Sequence, residues 1–510
     1  MKFLILFFII SGIRNILKKE IEKNFKYLNE NFEIKPYFIL YRIFDIKIYY
    51  LEFSDKNLVE ERKTNLRIPY VELRVGDYKN DGVNTKILTD FLEDEDFKNF
   101  LYPKLPLEDD EHGIRDVFWK ITDFAYKISV RNFYEKEKKG TVFLEEDTSY
   151  SFSKEIPNKY IEKRREKINY EEIRNKFFEF NKKIKKEKFI YNLKTYFYSI
   201  NMGRTILNTE GTEIEDNRIY FLLKVEVSAF DEEGKYYKNS REFFGYKIDE
   251  ILNENILREI KIFIDGFKEY VNAKEIKEYN GDIVLRGISS SKFILNLVKN
   301  RFLLNKENCE ILKDFFDKIG NKITGDIRIY DKPDIKYFNG YPLSGHLIYD
   351  DEGVKSKEVI LIEDGILKNF LLKREPVFNF KNSNGHARAG IYSIPFPFIT
   401  NLFVDGKIYE IENDSILIIE DIEFKSSLSF EIKKGFLSYK NGIKKEIKNL
   451  IVSFSSFDEM LAKIKGVCGS LKSYNFYEDN PYMPFSINSY DLILKDVYSK
   501  RFFKKKIRSD

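Results

Sequence analysis

The stretch KEVILIEDGILKNFLLK, residues 357–373, limits the fold more than any other part of the chain. Two alternating apolar runs flank Asp364-Gly365, a pair suited to a type I′ turn, whose two central residues both need positive φ. That pattern reads as an antiparallel hairpin with one buried face. From Gly325 onward most of the sequence has the same β character. The upstream half mixes the two periods. NILKKEIEKNFKYLNENF and DVFWKITDFAYKISVRNFYEKEKKG have helical spacing, the second carrying the sole tryptophan, Trp119. YFILYRIFDIKIYYLEF, PYVELRVGDYKNDG and IYFLLKVEVSAF read as strands. Residues 158–190 are expected to form one long charged helix, with Ile168, Ile173, Phe177, Phe178 and Phe180 on its buried side. A helix follows over about 253–272, then the strand GDIVLRG and the helix SSSKFILNLVKNRFLL. Ser289–Ser291 are expected to cap that last helix.

At 510 residues the chain is too long for one ordinary core. The expected class is α+β: an N-terminal mixed α/β domain followed by a largely β, barrel-like C-terminal domain. The expected segments are a leader over 1–12, an N-terminal domain over 13–150, a central helix-plus-strand region over 151–280, and a C-terminal domain over 281–510. The chain has 87 basic against 83 acidic residues. That balance gives no reason to expect nucleic-acid binding, which needs a one-sided basic face. The basic, aromatic tail YSKRFFKKKIRSD reads as a solvated end, with an anionic membrane surface or a partner as the alternative. Neither Cys309 nor Cys468 lies in a CxxC pair, which removes a structural zinc site of ordinary spacing and leaves bonded or free thiols open. MKFLILFFIISG has a lysine, a short apolar run and small residues, the pattern of a secretory signal. It is too short to cross a bilayer. Export to the periplasm or outside is therefore expected, with a buried first helix in a cytoplasmic protein as the alternative.

Longer motifs lead further. GYPLSGHLIYDDEGVKSKEVILIEDGILKNFLLKREPVFNFKNSNGHARAG, then PFPFITNLFV and, later, GVCGS at 466–470 follow one another as in the C-terminal domain of the TldD/PmbA (TldE) family, which this chain resembles. PYFILYRIFD, VELRVGDYKNDG and FWKITDFAYK resemble the N-terminal part of an exported branch. The resemblance implies a metallopeptidase-type fold, a dimer around an enclosed cavity, and extended or unfolded peptide substrates. In the TldD type, zinc sits on a helix bearing His-Glu-x-x-x-His, with a cysteine of the late Cys-Gly segment as third ligand. The TldE/PmbA type lacks that helix and serves as its partner.

Zinc needs two imidazoles on one helix face and a glutamate to activate its water. The corresponding helix here, SSSKFILNLVKNRF, has neither histidine nor glutamate, and His112, His346 and His386 are far apart in sequence. No metal is therefore expected. The reading is a metal-free peptide-binding or partner subunit, acting with a TldD-like sister chain or as a homodimer. Two alternatives stay open: an active metallopeptidase with zinc on His346, His386 and Cys468, and a non-enzymatic structural homo-oligomer. A Cys468–His386 nucleophilic pair also requires the two to meet. In SNGHARAG, Asn384-Gly385 favours a tight turn, which leaves His386 and Arg388 either facing solvent or lining a cavity. The resemblance implies the second, with Asn384, Gly385, His386, Arg388, Thr400 and Asn401 as cavity wall and Arg388 holding a peptide carboxylate or carbonyl.

Overall fold

The computed structural model describes residues 12–82, 103–138, 150–162, 168–411, 415–478 and 482–501. Pro36–Ser54 and Asn57–Val75 form a long hairpin that turns at Asp55 with φ 55°. Two strands alone cannot bury a face in water, and this pair recruits partners from more than a hundred residues downstream. Pro36–Ser54 pairs with Asn192–Asn208, which pairs with Glu213–Phe230, which pairs with Tyr236–Gly245. The division expected at 150 is therefore not a break in the fold, because the segments on either side of it make one sheet.

Side-chain alternation gives this sheet two working faces. Ile39, Tyr41 and Ile43 point toward the helices Ile13–Asn31 and Glu111–Lys138, meeting Ile16, Leu17, Phe118 and Ile121. Tyr49, Leu51 and Phe53 meet the helices Tyr170–Lys183 and Glu254–Asn272 on that same side. The intervening residues Phe44 and Ile46 face the C-terminal domain and cluster with Tyr220, Leu222 and Ile391. Trp119, on the outer side of its helix, stays 45% exposed.

The long charged helix expected over 158–190 is shorter than its composition suggests. Lys159–Ile161 is a strand in parallel pairing with Glu213–Glu215. The helix itself covers Tyr170–Lys183, started by Asn169, whose side chain accepts from the Glu172 N–H. Ile173, Phe177 and Phe180 are buried, whereas Ile168 and Phe178 are only partly so.

The C-terminal region is built on a twelve-stranded sheet. Its first strand is Lys274–Glu275, a few residues ahead of the expected boundary. Central Glu278–Leu285 lies between Met483–Arg501, antiparallel, and Ser415–Ser426, parallel. The sheet as a whole is open, ending at Ile366–Leu367 and Lys274–Glu275, although pairing returns on itself through Ser429–Tyr439 and Leu450–Ser453 to Met483–Arg501. The helix Ile288–Arg301 lies against it, burying Phe293, Ile294, Leu297 and Val298, each worth about 1.5–3 kcal/mol relative to exposure. The serines before them do not cap it. Ser289 donates to the Ile419 carbonyl at 2.7 Å, and the Ser290 hydroxyl bonds that of Ser489 at 2.7 Å. They tie the helix to the sheet.

In the hairpin, Asp364 and Gly365 have φ of 50° and 78°, as a type I′ turn needs. Its second arm is short. After Ile366–Leu367 the chain leaves the sheet, and Leu371–Leu372 pairs in parallel with Leu303–Leu304. Among the described residues no helix is long and apolar enough to cross a membrane. The leader expected over 1–12, apart from Gly12, and most of the basic tail lie outside the described residues.

Candidate functional site

Asp331 ends the strand Ile327–Asp331 and is wholly buried. Its carboxylate gathers the loops that the sequence singled out. It accepts from the Thr400 N–H at 2.8 Å, from the Thr400 hydroxyl, and from the Asn401 N–H at 3.3 Å. The His386 Nε2 lies 3.3 Å away, while His386 Nδ1 is 3.1 Å from both oxygens of Asn384. Asn401 fixes a further turn: its side chain accepts from the Gly345 N–H at 3.1 Å and donates to the Ile335 carbonyl at 2.7 Å. Gly385 takes φ 77°, and a Cβ there would lie 2.5 Å from the Lys355 carbonyl oxygen. Gly385→Ala adds left-handed strain to that clash and is expected to cost about 2–4 kcal/mol. Thermal unfolding of the variant checks this, and an unchanged midpoint would show that the turn relaxes freely.

Both readings of SNGHARAG are thus modified. His386 is fully buried and Arg388 is 2% exposed, so neither faces solvent. Gly385, Thr400 and Asn401 are buried too, with Asn384 partly so, and their polar groups are spent on Ser383, Asp331 and Ser486. Arg388 donates to the carbonyls of Ile399 at 2.9 Å and Pro484 at 2.8 Å. Burial lowers its pKa to about 10, and the facing Arg218 adds to that.

The alternative zinc set does not assemble. His386 spends both ring nitrogens on Asn384 and Asp331 rather than on Cys468. Cys468 is buried among Val284, Ile416, Ile418 and Phe436, where burial pushes its thiol up to about 11, the opposite of an activated thiolate. The same placement removes the Cys468–His386 pair. His346 is half-buried, its imidazole brought down to about 4 by burial and by the cations Arg218 and Lys336. His112 is exposed. Among the described residues no three His, Cys, Asp or Glu side chains converge to hold a metal. The inward face of Ile288–Arg301 carries only serines and apolar groups. The residues present do not fit the zinc centre that the resemblance implies.

One feature went unmarked in the sequence: a line of arginines where the N-terminal sheet meets the C-terminal domain. Arg204 binds Asp216 and also donates to Asp351 and the Tyr349 carbonyl, both at 2.8 Å. Arg42 is 1% exposed and lies over the Phe44 and Tyr70 rings, its Nη2 on the Ser393 carbonyl at 3.1 Å. Its Nε and Nη1 are buried without a partner. Arg218, half-buried, makes no hydrogen bond or ion pair among the described residues. Farther along the same strand face is a cleft of about 240 Å³ bordered by Tyr196, Tyr198, Leu222, Lys224, Glu242 and Tyr477. The strand beside it, Tyr236–Gly245, is an edge of its sheet.

Residues 283–488 match the family described as PmbA/TldA metallopeptidase C-terminal domain. A protein named metalloprotease from Archaeoglobus fulgidus is 28% identical over 96 residues, which cover 19% of this chain and 21% of that protein. A zinc metalloprotease TldD homolog from Saccharolobus solfataricus is 27% identical over 169 residues, 29% of this chain and 37% of its own length. The chain thus spans well under half the length of these curated relatives. The crystal structure of TldE from Thermococcus kodakarensis has the same fold at a TM-score of 0.61 and 13% identity, covering 95% of this chain and 100% of that one. Over residues 283–488 the chain is thus similar to the C-terminal domain of the TldD/PmbA family of metallopeptidase-like proteins.

Proposed function

We propose that this chain is a peptide-binding partner subunit that contributes no zinc centre of its own to the proteolysis of extended peptides. The observation that carries the reading is the helix Ile288–Arg301, which turns Ser289, Ser290, Ser291 and Phe293 inward where the catalytic type of the family has metal ligands. The partner is a zinc-bearing TldD-type chain, in keeping with the likeness of fold to a TldE structure. The open edge of Tyr236–Gly245 suits strand addition by an extended peptide, with the adjoining tyrosine-lined cleft taking a side chain. Arg388, behind the wall, acts on such a peptide through the potential it adds rather than by direct contact.

The test is zinc content and cleavage of an unstructured peptide, with the full chain first by itself and then mixed with a TldD-type chain. The expected result is negligible zinc, no change on Cys468→Ala, and cleavage only in the mixture. Stoichiometric zinc that Cys468→Ala removes, with chelator-sensitive cleavage by the chain by itself, overturns the reading in favour of a metallopeptidase. A symmetric homodimer with no saturable peptide binding overturns it in favour of a structural role.

A further inference from the structure

We propose that Arg218, at the seam between the N-terminal sheet and the C-terminal domain, binds the terminal carboxylate of the peptide; this rests on the peptide-binding reading above. Strand register puts Arg218 opposite Met202, two residues beyond the Arg204–Asp216 pair on the same sheet face, with Tyr220 next in line. That face is the one turned to the C-terminal domain. Four guanidiniums, Arg42, Arg204, Arg218 and Arg388, approach this seam, and Arg204 hydrogen-bonds two carboxylates there, Asp216 and Asp351, the second of which also feels Arg42 and Arg218 through space. Arg388 is satisfied by two carbonyls. Arg42 keeps two buried nitrogens unpartnered.

Withdrawing a cation from water costs free energy unless an anion or several acceptors replace the lost hydration. Arg204 and Arg388 have such replacements as hydrogen bonds, whereas Arg218 has only the through-space attraction of Asp351. It is also the one of the four that retains access to solvent, since Arg42, Arg204 and Arg388 are at most 3% exposed. Half-buried His346 is near Arg218 and Lys336, which add to the burial that depresses its imidazole while Asp334 and Asp216 oppose them, so His346 is a neutral hydrogen-bonding neighbour. A planar guanidinium presenting parallel N–H groups matches a carboxylate in bidentate geometry. The same chemistry would take a free small carboxylate, and the test separates the two.

Fluorescence anisotropy on the full chain would compare a labelled unstructured peptide ending in a carboxylate with the same peptide ending in an amide. The amide is expected to bind roughly 10- to 100-fold more weakly, the span of a charged hydrogen bond. Arg218→Gln is expected to weaken the acid form to the level of the amide and leave the amide unchanged, with Arg218→Lys intermediate. Arg218→Gln should melt with the wild type, because no hydrogen bond or ion pair is lost. Equal binding of acid and amide overturns this assignment and leaves the peptide-binding reading standing. Failure of both peptides to bind overturns both. Acetate binding more tightly than the peptide acid assigns Arg218 to a free carboxylate and overturns the peptide assignment.

Discussion

Asp331→Ala is expected to destabilise the C-terminal domain by about 3–5 kcal/mol, the cost of removing one member of a buried charged network. Asp331 is inaccessible to solvent and is met by the Thr400 N–H and hydroxyl, the Asn401 N–H and the His386 ring. Alanine leaves those groups buried and facing nothing, and each orphaned donor costs about 1–3 kcal/mol. The sum is not additive, because the loops regain some bonds as they shift. Against the 5–15 kcal/mol that holds an ordinary domain together, about a fifth of the stability or more is at stake. Thr400→Val, which removes only the hydroxyl, should cost about 1 kcal/mol. Urea unfolding followed by far-UV circular dichroism measures both. Fluorescence of Trp119, on a helix of the N-terminal sheet, should shift much less. A wild-type midpoint for Asp331→Ala would mean that the loops around SNGHARAG hold themselves without it.

The same residues show where reading the sequence ran out. The hairpin was legible because Asp364-Gly365 encodes its own backbone geometry, and the long strands were legible from their period of two. The strand Pro36–Ser54 carried its own partners no further than the adjacent Asn57–Val75. Its second neighbour, Asn192–Asn208, is set by which faces remain to be covered, and no local pattern records that. The helix at 158–190 was overread because Lys and Glu suit a helix anywhere. Lys159–Ile161 takes its strand form from the sheet edge it meets. Thr400 and Asn401 stood out in sequence as a motif. Their shared acceptor, Asp331, sits some seventy residues upstream at the end of a strand, with nothing local to mark it. The arginine seam did leave a trace: Arg42 interrupts the apolar face of FILYRIFDI, and Arg204, Asp216 and Arg218 fall on alternating positions of strands that read as buried. A charge at a core-facing strand position needs a partner or a ligand. That rule would have found them.

Glu352→Gln is expected to flatten the fall in stability of this protein with rising pH. Glu352 and Asp350 are buried side by side where the two halves join, 3% and 0% exposed. Glu352 accepts from the Arg374 N–H at 2.7 Å, and Arg374 reaches across to Glu210 and the Ser153 carbonyl. Asp350 accepts the N–H groups of Glu352, Val354 and Ala387. Burial lifts Glu352 to about 8, with Glu72 and Asp350 pushing the same way and Lys373 opposing. Burial likewise lifts Asp350 to about 7, with Asp351 adding to the rise and the three N–H groups resisting it. In the unfolded chain both carboxyls ionise near pH 4. From there upward the unfolded state sheds protons that the folded state still holds, so rising pH favours unfolding until about pH 8, where the folded groups have ionised as well. The loss over that window is on the order of a few kcal/mol. Glutamine stays neutral and removes the larger share. The variant should match the wild type near pH 4, diverge from it through neutrality, and be clearly more stable at pH 9. Denaturation midpoints taken across this range decide it. Parallel profiles for the two proteins would mean that Glu352 is already ionised at neutral pH and is compensated by Lys373, which lies 2.9 Å from Glu375 and is likewise buried.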